Sequence, residues 1–325
     1  MHTTSKEFKS SLAHMPISFF SMVMGLSGMT IAWEKAQHIA GLDLGIISPL
    51  LVALTSLVFI ALSAMYIHKI INFPDNVSAE LNHPVKLSFF PTISISFLLL
   101  SVAFMAVSPA IGKVLWAVGT VSQLGFVLYI ISTWMHQGHF KVPHMSPAWF
   151  IPAVGNVIVP IAGIPLGFVE LSWFFFSIGM LFWVILMTIV FYRILFHDPI
   201  PAKLLPTLFI LIAPPAVGFV AYIKLTGELD SFGRILYYSG LFLTLLLFTQ
   251  FRRFTKLPFF LSWWAYSFPL AAITIATMVM YELTNKVFFL WLGGGLLALV
   301  TVIVSMLLVR TGMGMLNNEI CVEEG

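Results

Sequence analysis

From residue 16 to residue 310 the sequence is a succession of ten mostly apolar stretches, at 16–36, 46–70, 88–108, 112–135, 148–165, 170–195, 203–223, 232–251, 259–282 and 287–310. Short charged or turn-rich segments part them. A helix needs about 20 apolar residues to cross a bilayer, and only the fifth stretch, short and rich in proline, falls near the lower limit. With 9% charged residues and a mean hydropathy of +1.00, against roughly 25% charged in a soluble domain, the chain has too few ionised groups to cover a water-soluble globule. The expected fold class is therefore an all-α polytopic membrane protein: a single transmembrane domain over 1–325, with short tails at about 1–14 and 312–325. The first stretch runs on to Trp33 without a small-x-small cleavage site, so it reads as an uncleaved first span.

Ten spans place both termini on one side. That side, with the loops after even-numbered spans, carries eleven of the sixteen lysines and arginines: Lys6, Lys9, Lys69, Lys86, Lys141, Arg193, Lys203, Arg252, Arg253, Lys256 and Arg310. The other five are Lys35, Lys113, Lys224, Arg234 and Lys286. By the positive-inside rule both termini are expected in the cytoplasm.

Proline divides the spans into two sets. Odd-numbered spans hold Pro16, Pro91, Pro152, Pro160, Pro206, Pro214, Pro215 and Pro269, while the interiors of even-numbered spans hold none. A proline removes a backbone hydrogen bond and clashes with the preceding turn, at ~3 kcal/mol or more in a soluble helix. In hydrocarbon the freed carbonyl is tolerated only where protein or a water-filled cavity receives it. The pattern predicts five helical hairpins, with kinked odd helices around a central axis and smooth even helices against lipid. The odd spans also read as weak repeats mixing aromatic, proline and small residues ("SFFPTISISF", "AWFIPAVGNV", "YSFPLAAITI"). A general enrichment of Gly and Pro in membrane helices explains their abundance but not their segregation.

The thirteen acidic residues and nine histidines all fall in loops, tails or helix ends. Proton-coupled pumps, metal carriers and membrane enzymes place such groups within their spans, so the axis reads as a path without fixed charge. "HQGHFKVPH" gathers His136, His139 and His144, but with no Cys or acidic neighbour it reads as a polar loop rather than a metal site. Glu170 and Glu282, at the outer helix ends, read as interfacial residues. "WLGGGLL" lacks the Lys-Ser/Thr of a phosphate loop, and its glycines, Gly293 to Gly295, read as close helix packing. Cys321 stands alone as a tail thiol. No carboxylate ring or filter-like carbonyl loop for cations is present, whereas basic mouths and helix N-termini favour anions. The expectation is no enzyme, no cofactor, no metal and no nucleic acid.

"GLSGMTIAW" (25–33), "HPVKLSF" (83–89), "GTVSQLGF" (119–126), "PAWFIPAVGN" (147–156), "LIAPPAVGFVAY" (211–222), "GELDSFGRILYY" (227–238) and "WWAYSFPLAA" (263–272) together resemble the tellurite-resistance (TehA), dicarboxylate-transporter and plant slow anion channel family. The resemblance runs from about residue 16 to 310. It implies a homotrimer of ten-span subunits in the inner or plasma membrane, each with its own pore for small anions. It also implies that Phe268, in "SFP", plugs that pore. Ser21 stands where relatives can carry glycine. The pore-lining or kink candidates are Ser21, Gly25, Pro91, Pro152, Pro214, Ala265, Pro269 and Ala272. A gated anion channel and a secondary transporter of a dicarboxylate or a tellurite-type oxyanion are both compatible with these residues.

Overall fold

The computed structural model describes residues 12–41, 46–138, 140–317 and 319–321. The charges counted at Lys6, Glu7, Lys9, Asp43, Glu323 and Glu324, and the histidine at 139, lie outside them. The transmembrane elements are α1 (Ile17–Ala40), α2 (Ile47–Asn72), α3 (Lys86–Phe104), α4 (Pro109–His136), α5 (Pro147–Gly163), α6 (Val169–Phe196), α7 (Ala202–Thr226), α8 (Ser231–Phe248), α9 (Leu261–Thr284) and α10 (Val287–Leu316).

Among the described residues nine of these are long and apolar enough to cross a membrane. The tenth, α5, is shorter, so the expected count of ten full spans is not confirmed. This element runs as four short helical pieces, Pro147–Trp149, Phe150–Val154, Gly155–Ile158 and Val159–Gly163, three of which hold a proline, Pro147, Pro152 or Pro160. The last helix, by contrast, runs on to Leu316, into the stretch expected to be tail.

Consecutive elements pair as α1·α2, α3·α4, α5·α6, α7·α8 and α9·α10. The odd elements also contact one another in a closed order, α1 to α3 to α5 to α7 to α9 and back to α1. They form an inner ring of five, with the even helices outside it. The most apolar windows of α1, α3, α7 and α9 are 72, 72, 78 and 83% buried, while those of the even helices are 28 to 39% buried. Exposed Leu57, Val121, Leu181, Phe242 and Val302 are typical of the outer faces. The proline segregation has this physical basis: broken backbone sits where neighbouring helices enclose it.

The prolines do not kink continuous α-helices, as the sequence led us to expect. Each inner element begins as 3-10 helix, at Ile17–Phe19, Lys86–Phe89, Pro147–Trp149, Ala202–Ile212 and Leu261–Tyr266. The longest of these, 11 residues, far exceeds the three or four usual for this geometry. Prolines cluster where 3-10 gives way to α-helix: Pro91 directly precedes Thr92–Phe104, Pro214 and Pro215 open Ala213–Thr226, and Pro269 is the third residue of Ser267–Thr284. In an α-helical first turn the missing N–H had no intrahelical partner in any case.

A short polar side chain recurs in these starting halves. It donates to the carbonyl three residues earlier in every inner element: Ser21 to Ser18 (2.5 Å), Thr92 to Phe89 (2.6 Å), Asn156 to Ala153 (2.6 Å), Thr207 to Leu204 (2.6 Å) and Ser267 to Trp264 (2.6 Å). Hydroxyl and amide groups thereby bond to backbone oxygens of the 3-10 and transition segments. In α5 the outer layer helps too, since Gln123 of α4 donates to the carbonyl of Pro152 (2.9 Å) while accepting from Ser94 of α3 (2.7 Å).

Candidate functional site

The starting halves of the five inner elements enclose a cavity of about 370 Å³ on the ring axis. At the end where these elements begin, called here the N-end, it is lined by His83, Lys86 and Lys203. His83 and Lys203 are exposed, so the cavity opens to the surface there. Deeper in, apolar side chains such as Met24, Ile95, Val154, Ile158 and Ile210 alternate with Ser21, Thr92 and Thr207. The hydroxyl protons of those three are committed to backbone carbonyls. The deep wall thus carries no charge and few free donors.

A second, smaller void of about 40 Å³ lies further along the same axis. Its walls are wholly apolar, with Gly28 and Ile31 from α1, Leu99 and Val102 from α3, Ile161 from α5, Val220 from α7, and Ala272 and Ile275 from α9. Along every inner element the cavity residues precede the void residues. Phe268 and Val217 line both, so they stand at the boundary. An apolar stretch offers a passing ion no polar partner.

The packing around Phe268 follows from small residues on α1 and α9. A Cβ on Gly28 would meet Ala271 Cβ at 2.9 Å and Phe268 Cδ2 at 3.3 Å, so the glycine lets the α1 backbone lie against the ring. Gly25 serves helix contact in the same way: its Cβ would stand 2.7 Å from Ser267 Cβ.

The candidate residues therefore separate by position. Ser21, Pro214, Ala265, Phe268 and Pro269 line the cavity, and Ala272 lines the void. Gly25, Pro91 and Pro152 line neither; they are buried in helix contacts and helix transitions. The sequence reading missed Gly28 and Val217, which it quoted within motifs but assigned no role. It also counted His83, Lys86 and Lys203 only as loop charge. Of these, Lys86 carried the clearest signal, lying two residues before its predicted span.

Beyond the void, Glu282 at the end of α9 pairs with Lys35 of α1 (2.5 Å) and lies 3.5 Å from His38 Nδ1, so it is a link between two ring helices rather than a solvated terminus. Of the triple glycine only Gly293 is in close contact: its Cβ would be 3.1 Å from Met278, while Gly294 and Gly295 have nothing within 4 Å. Among the described residues no cluster of three or more His, Cys, Asp or Glu side chains is arranged to hold a metal.

The family model for the voltage-dependent anion channel, SLAC1, matches residues 14–312. The chain is 30% identical over 278 residues to the S-type anion channel SLAH2 of Arabidopsis thaliana, a match covering 82% of this chain and 53% of that protein. It thus spans about half the length of this plant relative. It is 27% identical over 312 residues to an uncharacterized transporter of Methanocaldococcus jannaschii, covering 89% and 91% of the two chains. It is also 27% identical over 270 residues to the tellurite resistance protein TehA homolog of Haemophilus influenzae, covering 82% of each.

Proposed function

The chain belongs to the voltage-dependent anion channel (SLAC1) family, and on that premise we propose that it passes small anions along the ring axis of a multi-pass membrane protein, with Phe268 as the closure. The observation that carries this reading is the sequence of environments on the axis. A basic opening leads to a cavity walled by all five inner elements, and that cavity ends at Phe268, with an apolar void beyond.

Each part has a physical task. Lys86 and Lys203 raise the local anion concentration at the opening, an effect that salt screens. The five inner helices point their N-terminal, electropositive ends the same way. Deeper in, the lack of fixed charge keeps binding weak, so that an anion that enters also leaves. The Phe268 ring closes the path, and its displacement off the axis opens it. The N-end faces the cytoplasm, in keeping with the eleven basic residues counted for that side. The protein resides in the inner or plasma membrane as a homotrimer with a pore in each subunit.

Purified protein in planar bilayers tests the function. Under a chloride gradient the reversal potential follows the chloride equilibrium potential; a potential that follows the cation instead refutes the reading. The second reading, a secondary transporter of a dicarboxylate or oxyanion, is favoured by the likeness to a TehA homolog. It requires saturable, proton-dependent uptake into liposomes, and the uncharged deep wall argues against tight proton coupling.

A further inference from the structure

Lys69, counted in the sequence with the cytoplasmic-side charges, and Glu80, counted among the loop acids, are buried together at the N-end. Lys69, near the end of α2, and Glu80, in the short helix Pro74–Asn82, have side-chain exposures of 2 and 7% and lie 3.1 Å apart. Charged residues are seldom buried so fully unless they are paired, and a pair of this kind is weak evidence for stability alone. What they bond to is more informative. Glu80 Oε1 accepts from the backbone N–H of Ile17 (3.4 Å), and Oε2 accepts from the hydroxyl of Tyr66 (2.8 Å). Lys69 Nζ donates to the carbonyl of Met15 (2.7 Å). The Tyr66 ring in turn packs edge-on to Phe20 of α1, with centroids 6.0 Å apart.

All of these contacts converge on the first turn of α1. That turn starts at Pro16, which supplies no side-chain cap. Its unpaired N–H at Ile17 is a donor that helices normally cap locally with Ser, Thr, Asp or Asn. Here the acceptor comes from 63 residues away. Pro16, Ile17 and Ser18 of the same turn, and Ser21 just after it, line the axial cavity. The chain that leaves the Glu80 helix continues directly into His83, Val85 and Lys86, which line the cavity from the other side.

We propose that Lys69 and Glu80 are positioning residues of the anion path: the pair clamps the first turn of α1 to the α2–α3 connection and so sets the shape of the cavity mouth. The proposal rests on the function given above. Glu80→Ala removes the acceptor for Ile17 and leaves Lys69 unbalanced, so the mouth relaxes and its discrimination between anions changes. Glu80→Gln keeps one amide oxygen for the Ile17 N–H and gives a smaller change, and Tyr66→Phe, which removes one hydrogen bond to Glu80, gives the smallest.

The experiment measures the nitrate-to-chloride permeability ratio of purified protein from reversal potentials, which do not depend on how many molecules are folded. The Phe268→Ala variant serves as background if the wild type is closed. The expected result is a shift of at least about twofold for Glu80→Ala, declining through Glu80→Gln to Tyr66→Phe. A merely stabilising pair would lower melting temperatures and leave the ratio unchanged. Should Glu80→Ala fail to fold, Glu80→Gln decides. A folded Glu80→Gln protein with the background ratio overturns the proposal. If the background itself gives no anion-selective potential, the functional reading falls, and this inference with it.

Discussion

Toward the N-end the inner ring is built of 3-10 helix, proline and hydroxyl groups around a cavity of about 370 Å³, and charged residues stand at its opening. Toward the other end the same five elements are regular α-helix apart from the short α5, and they border an apolar void of only about 40 Å³. The change of material occurs within single chains. On α9 it falls between Tyr266 and Ser267, next to Phe268. The contrast teaches that a membrane helix can be loosened on one half only, where short polar side chains also bond to its carbonyls. Ser21, Thr92, Asn156, Thr207 and Ser267 do this in turn around the ring. The irregular half makes room, and the regular half packs more closely around the axis.

Removing the boundary should have the largest effect. Phe268→Ala is expected to raise anion current on the order of tenfold or more in bilayers or oocytes, equivalent to lowering the barrier by ~1.4 kcal/mol for each factor of ten. Unchanged current at normal surface expression would mean that the seal lies elsewhere. Overfilling the regular half comes next. In Gly28→Val the new Cβ meets Ala271 and the Phe268 ring, and overpacking of this kind costs about 1–3 kcal/mol. A lower melting temperature with reduced current is expected, whereas Gly295→Ala, facing open space, should change neither.

The open half responds to charge. The pair Lys86→Gln and Lys203→Gln should lower conductance about threefold at low salt, and the difference should vanish near 1 M salt, where screening is complete within a few ångströms. A loss that persists at high salt would instead indicate a change of shape.

The smallest effect lies outside both halves. Asp230 caps α8 by accepting from Gly233 N–H (2.8 Å) and from the Tyr222 hydroxyl (2.5 Å). The Gly233 bond, followed by that from Tyr222, holds its carboxyl below the ordinary value of 3.8. A carboxyl whose folded value is depressed adds stability that is present above the unfolded value and lost as pH falls through the folded one. Asp230→Ala should therefore melt slightly lower at neutral pH, and the difference should shrink once the pH drops below about 4. A difference constant down to pH 2 would rule out the titration.

Much of this contrast is legible in the residues themselves. The prolines of the odd stretches mark which helices are enclosed, because lipid cannot receive the carbonyls they free. That logic yields the hairpins and the inner and outer layers. It does not yield the 3-10 segments: a proline at the opening of a helix and a proline that breaks one have the same spelling, and Pro269 was read as the second when it is the first. Glu80 and Lys69 were invisible for another reason. Their burial depends on where α1 begins, 63 residues from Glu80 in the chain, and no local pattern records such a meeting. Gly28 carried no signal beyond its small size, since its role appears only when the Phe268 ring is set beside it.

The boundary can be tested directly by thiol labelling of purified, reconstituted protein in which Cys321→Ser removes the single native cysteine. Ala265→Cys places a thiol on the partly exposed cavity wall and Ala272→Cys places one on the void wall. A small anionic methanethiosulfonate applied from the N-end should label position 265 readily and leave position 272 unlabelled, until Phe268→Ala is added and position 272 reacts as well. Labelling of position 272 with Phe268 intact would contradict the account, because the two halves of the ring would then share one open path.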